Sequence, residues 1–101
     1  MRVIYKYSLA TAAKQILMVP PLTDKVNGVD RLAKPSEQFL HLDVQRGVPT
    51  IWFMCDKGRE PEAVEVFTRV TGFQGFEADG TKHVGSYLLH DGAFVGHVFM
   101  K

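Results

Sequence analysis

The chain has 101 residues, 46% of them apolar and 23% charged, which is the composition of one ordinary globular domain and excludes a disordered tail. Twelve Lys/Arg against eleven Asp/Glu leave a formal net charge of +1 with no basic run, which argues against general nucleic-acid binding. The single cysteine, Cys55, excludes an intrachain disulfide and a cysteine-based zinc site, and its apolar neighbours make it a small buried hydrophobe.

In chain order, period-two segments recur between Gly, Pro and Asp punctuation, the pattern of an all-β domain. The first runs from Arg2 to Leu9. It places Val3, Tyr5, Tyr7 and Leu9 on one face, with Arg2, Lys6 and Ser8 on the other. Lys6 interrupts the apolar run, so Ala10–Ala13 is not read as the cleavage site of a signal peptide. No stretch approaches the roughly 18 apolar residues of a membrane helix. The expectation is a cytoplasmic protein with no membrane contact. The second segment, Gln15 to Val19, stops at Pro20-Pro21, since proline cannot donate to a strand ladder.

Thr23 to Ser36 breaks the rhythm. Asp24, Asn27-Gly28 and Pro35 mark turns, and Val29 to Ala33 is expected to hold one short helical turn in a surface excursion. The third strand, Gln38 to Gln45, alternates Leu40, Leu42 and Val44 against His41, Asp43 and Gln45. Arg46-Gly47 reverses it into the fourth, Thr50 to Cys55. After a loop over Asp56–Pro61, Glu62 to Thr71 reads as a fifth strand, because Val64, Val66, Thr68 and Val70 alternate with Glu65, Phe67, Arg69 and Thr71. Gly72 to Lys82 is a glycine-rich loop. His83 to Leu89 and Ala93 to Met100 form a hairpin across His90-Asp91-Gly92. The predicted fold is mainly β: about seven antiparallel strands in a small barrel or strongly curled sheet. The fourth and sixth strands are apolar on both faces, which predicts cover by a second layer or a homodimer.

Chemistry-bearing groups are sparse. His41 and Asp43 project from one face of their strand, as a metal or acid–base pair would, and His97 shares its face with Ala93, Val95 and Phe99. A site built from His41, Asp43 and His97 needs those strands to be neighbours. The plainer reading is a solvated strand face and a hydrogen-bonded core histidine, with no metal and no cofactor. No serine sits in a nucleophile elbow, and Gly72-Phe73-Gln74-Gly75 lacks the setting of a phosphate cradle. Phe73 and Phe76, aromatic residues on a glycine-rich loop, are candidates to anchor a partner or to stack on a base.

A set of short motifs spans most of the chain: Lys6-Tyr7, a hairpin with Val44-Gln45, Pro49 and Trp52, then Thr71-Gly72, Gly85-Ser86, and Gly92 through His97-Val98-Phe99. In these the chain resembles a family of small phage and prophage proteins of uncharacterised function. It departs from that pattern at Gly96, where the family has an aromatic residue, and at Phe73, where it often has histidine. The segment Thr23–Ser36 stands as an insertion. The resemblance implies a phage-borne accessory protein that binds and blocks a host protein or a small signalling nucleotide, as anti-defence proteins do. The expected function is therefore non-enzymatic binding through Trp52, Phe73, Phe76 and the loop carrying Asp30 and Arg31. Two alternatives are a small metal-assisted or acid–base enzyme using His41, Asp43 and His97, and a nucleic-acid-binding β module using Tyr5, Lys6 and Tyr7.

Overall fold

A computed structural model of the chain describes residues 1–73 and 80–101. The described residues form nine strands: β1 (Arg2–Ser8), β2 (Lys14–Val19), β3 (Thr23–Val26), β4 (Val29–Leu32), β5 (Phe39–Gln45), β6 (Val48–Asp56), β7 (Glu62–Val70), β8 (Lys82–Leu89) and β9 (Phe94–Met100). One helical turn, α1 (Pro35–Gln38), precedes β5, and a 3-10 turn over His90–Gly92 joins β8 to β9. All pairing is antiparallel. The orders are β1-β6-β5 in one sheet and β2-β7-β9-β8 in another, with β3-β4 as a separate hairpin.

The two larger sheets share one core. β6 contributes Ile51, Phe53 and Cys55, β2 contributes Leu17 and Val19, and β7 contributes Val64 and Val66, with Tyr87, Val98 and Met100 from β8 and β9. Their sequence alternation is the reason: each strand turns every second residue inward, and burial of those side chains drives the sheets together. Burial also pushes the Cys55 thiol above its usual range, so it packs as an apolar group.

The sheets approach each other at β5 and β8, where a Cβ on Gly85 would lie 3.2 Å from Leu42 Cδ2. On the opposite side β1 and β2 do not pair. The link between them carries the chain from one sheet to the other, held by Gln15, whose side chain accepts from the Ala10 N–H and donates to the Ala10 carbonyl. The barrel expected from the strand count is therefore not closed. Among the described residues no helix is long and apolar enough to cross a membrane.

The excursion differs from expectation. Val29–Leu32 is a strand, not a helical turn, and pairs with Thr23–Val26 across Asn27-Gly28. Both turn residues have positive φ, 52° and 77°, the geometry of a two-residue hairpin turn, and Arg46-Gly47 repeats it at 51° and 78°. The helical turn falls later, at Pro35–Gln38, so the strand expected from Gln38 begins at Phe39. A bulge between Phe39 and His41 then pushes Leu40 out to solvent, while Phe39 packs against the core.

The hairpin is tied down by polar contacts. Asp56 accepts from the Thr23 N–H at 2.8 Å, and Arg59 donates to Thr23 Oγ1 at 2.6 Å. Arg31 grips Glu37 through two hydrogen bonds, of 3.0 and 2.7 Å. Buried Gln38 donates to the carbonyls of Pro20 and Met54.

Candidate functional site

Because Val66, Thr68, Val98 and Tyr87 turn inward, their neighbours on β7, β8 and β9 are forced onto the outer face of the four-stranded sheet. Strand register then assembles two rows. Phe67 lies opposite Phe99, and Phe99 opposite His83. One step along, Arg69 lies opposite His97, and His97 opposite Ser86. The first row is aromatic and the second polar.

His97 is the hub of the polar row. Its Nδ1 is 2.8 Å from Ser86 Oγ, and its Nε2 is 2.8 Å from Thr71 Oγ1. A hydroxyl both donates and accepts, so either neutral tautomer of the ring has a partner on each side, and both hydroxyls accept from a protonated ring. Ser86 Oγ also reaches His83 Nε2 at 3.4 Å, and the two histidine rings stand 6.3 Å apart. His83 packs on Phe99 with centroids 5.0 Å apart. Three of the short motifs seen in the sequence, Thr71-Gly72, Gly85-Ser86 and His97-Val98-Phe99, therefore meet through one imidazole.

Arg69 joins the rows. Its guanidinium lies over Phe67 at 5.5 Å and over Phe73 at 5.1 Å, and it donates to the carbonyls of Ala13 and Thr68. Lys14 Nζ sits 5.8 Å from the Phe67 ring. A hollow of about 260 Å³ opens here, lined by Arg69, Thr71, Phe73, His97 and Phe99 among others. Flat apolar rings beside a guanidinium, an imidazole and hydroxyls can hold a planar ring and an anionic group together.

Gly96 explains part of this arrangement. It is buried beneath Tyr87, and a Cβ there would lie 2.6 Å from Tyr87 Cζ. The position before His97 thus carries no side chain so that the tyrosine ring can cross β9.

The residues singled out from the sequence are dispersed. Phe73 and His97 line the hollow. Trp52 lies on the outer face of the three-stranded sheet, its ring 5.4 Å from that of His41. Asp30 and Arg31 belong to the separate hairpin. There Asp30 is 4.0 Å from Lys25, and the Arg31 guanidinium is held by Glu37. Phe76 lies outside the described residues.

His41 and Asp43 do approach, at 3.6 Å, but both are exposed, and His97 sits on the other sheet. Among the described residues no three His, Cys, Asp or Glu side chains group as metal ligands. The proposed face of Tyr5, Lys6 and Tyr7 is also divided. Tyr7 packs on Phe53 with centroids 5.8 Å apart, whereas Lys6 crosses the outer face to Gln45. Sequence reasoning did not select Phe67, Arg69, Thr71, Ser86, His83 or Phe99 as site residues, although alternation already put Phe67, Arg69 and Thr71 on one face.

A sequence family described as a domain of unknown function (DUF7352) matches residues 1–101. No curated protein and no solved structure matches the chain.

Proposed function

We propose, for a chain that belongs to the DUF7352 family, a non-enzymatic binding role: the outer face of the four-stranded sheet holds a small nucleotide. The observation that carries this reading is the Arg69 guanidinium lying against two phenyl rings beside His97, whose two ring nitrogens are each tied to a hydroxyl. A base stacks on Phe73 or Phe99, and the phosphate takes Arg69, His97 and Ser86. Stacking on aromatic side chains contributes about 1–3 kcal/mol per base. Charge-assisted hydrogen bonds to the phosphate add orientation. The near-zero net charge favours a ligand with one or two phosphates over a long polyanion. In a phage or prophage setting, such a module acts by sequestering a signalling nucleotide of the host.

Isothermal titration with adenosine and guanosine monophosphates tests the reading, with mass spectrometry of the recovered ligand. Saturable binding of at least one, with the ligand unchanged and affinity lost about tenfold or more in Arg69→Ala and Phe73→Ala, is the expected result. Absence of binding by both nucleotides, or identical affinity in both variants, refutes it.

A further inference from the structure

A cleft lies on the open side of the sandwich. It measures about 500 Å³ and is lined by Tyr5, Lys6 and Tyr7 of β1, by Met18 and Pro20, and by residues 58–61. It runs beside a strand whose far edge has no neighbour among the described residues, since β1 ends the order β1-β6-β5.

The register of that edge follows from two hydrogen bonds. Leu9 N–H donates to the Pro49 carbonyl, and Lys57 N–H donates to the Met1 carbonyl. Antiparallel pairs alternate between bonded and non-bonded, so odd-numbered residues of β1 bond to β6. The amides and carbonyls of Arg2, Ile4, Lys6 and Ser8 therefore point away from the sheet, along the cleft.

From this geometry we propose that β1 accepts an extended peptide from a partner, added as a fourth strand to the β1-β6-β5 sheet. Every second side chain of that peptide enters the cleft beside Tyr5, Tyr7 and Met18, so those side chains are apolar. The alternate ones stand on the outer face opposite Arg2, Ile4 and Lys6. Arg2 already leans on Asp24 at 3.9 Å, whereas Lys6 donates to the neutral amide of Gln45, so the residue opposite Lys6 is acidic. Opposite charges across strands stabilise and like charges destabilise. Antiparallel self-pairing of β1 about Ile4 sets Arg2 against Lys6 twice, and about Lys6 sets Lys6 against itself. Pairing about Tyr5 escapes both clashes, so a second copy is the competing occupant in the test.

The test uses a capped seven-residue peptide alternating valine with glutamate, and its twin alternating valine with lysine. The glutamate peptide is expected to bind with a dissociation constant below about 1 mM. It should slow hydrogen exchange at the Ile4 and Lys6 amides, which point away from β6 and are expected to exchange freely in the chain alone. The lysine peptide binds at least about tenfold more weakly, and Lys6→Glu reverses the preference. Lys6 is exposed, so the variant folds. Equal binding of the two peptides, no binding by the glutamate peptide, or no reversal in Lys6→Glu overturns the proposal. Protection of Ile4 and Lys6 in the free chain, with a dimer by light scattering, overturns it in favour of a second copy. Nucleotide titration at the opposite sheet is unaffected by Lys6→Glu, so this proposal and the nucleotide reading fail separately.

Discussion

β9 presents two unlike faces within one strand. Gly96, Val98 and Met100 are buried and touch the shared core, whereas His97 and Phe99 stand half-buried on the outer surface among Arg69, Ser86 and His83. The inner face needs only apolar side chains of the right size. The outer face places ring, cation and hydroxyl at fixed positions without sealing them from solvent. The strand therefore divides two tasks: the inner face holds the sheets together, and the outer face presents the rings, cation and hydroxyls of the proposed site.

The largest expected effect lies inside. Met100→Ala removes a side chain only 1% exposed, so it should cost about 2–5 kcal/mol in urea unfolding. Phe99→Ala, its outward neighbour, should cost less than about 1 kcal/mol and yet weaken nucleotide binding. If Phe99→Ala proves as destabilising as Met100→Ala, the division between faces is wrong.

Gly96→Ala comes next, because its new methyl meets the Tyr87 ring. Overpacking of this kind costs about 1–3 kcal/mol, and Tyr87→Ala in the same chain should cancel part of the loss. Strict additivity in that double-mutant cycle would remove the role assigned to Gly96.

His97→Ala sharpens the comparison further. Loss of two side-chain hydrogen bonds at a half-buried position costs about 1–2 kcal/mol, with ligand affinity falling about tenfold. A stability loss with unchanged affinity would make the imidazole a clasp between strands and nothing more.

The smallest effect falls outside both faces, at the hairpin. The Arg31 guanidinium, and after it the Lys34 N–H, hold the Glu37 carboxyl down at about 2. A depressed carboxyl stabilises above its unfolded value, near 4.3, and that contribution is lost as pH falls through about 2. Between those values the protection factor of the Ala33 amide, bonded to the Leu22 carbonyl, should fall relative to an unstructured peptide at the same pH, and Glu37→Gln should flatten the dependence. A protection factor that ignores pH in the parent chain would show that the pair does not hold the hairpin.

How much of this was legible in the sequence depends on what burial writes into it. The strands that touch the core were readable, because one-sided burial imposes alternation on segments such as Val64 to Val70. β3 and β4 were missed for the converse reason. They have only four residues each and no buried face, so Thr23–Val26 and Val29–Leu32 show no inside–outside pattern. The one signal was Asn27-Gly28, which is as strong a hairpin mark as Arg46-Gly47 and was read only as a turn.

The candidate site was half legible. The last hairpin is visible in the sequence, but a turn over His90–Gly92 with a strand from Ala93 would set Ser86 opposite Gly96. The strand begins at Phe94, which moves the register by one and brings Ser86 to His97. That β7 would lie on the other side of β9, bringing Arg69 to His97, depends on the strand order β2-β7-β9-β8. No local spacing encodes that order. The open side was likewise beyond the strand count, since seven or nine strands are compatible with closure or with two separate edges.

Gln38 has a wider consequence for how the molecule comes apart. Its amide, 3% exposed, holds one carbonyl before the hairpin and one in the middle of β6. Swinging the hairpin outward strands a dry amide and two carbonyls, each at a cost of about 1–3 kcal/mol. The peripheral hairpin is thereby drawn into the same cooperative melting unit as the sandwich, and calorimetry should record one transition where the topology suggests two.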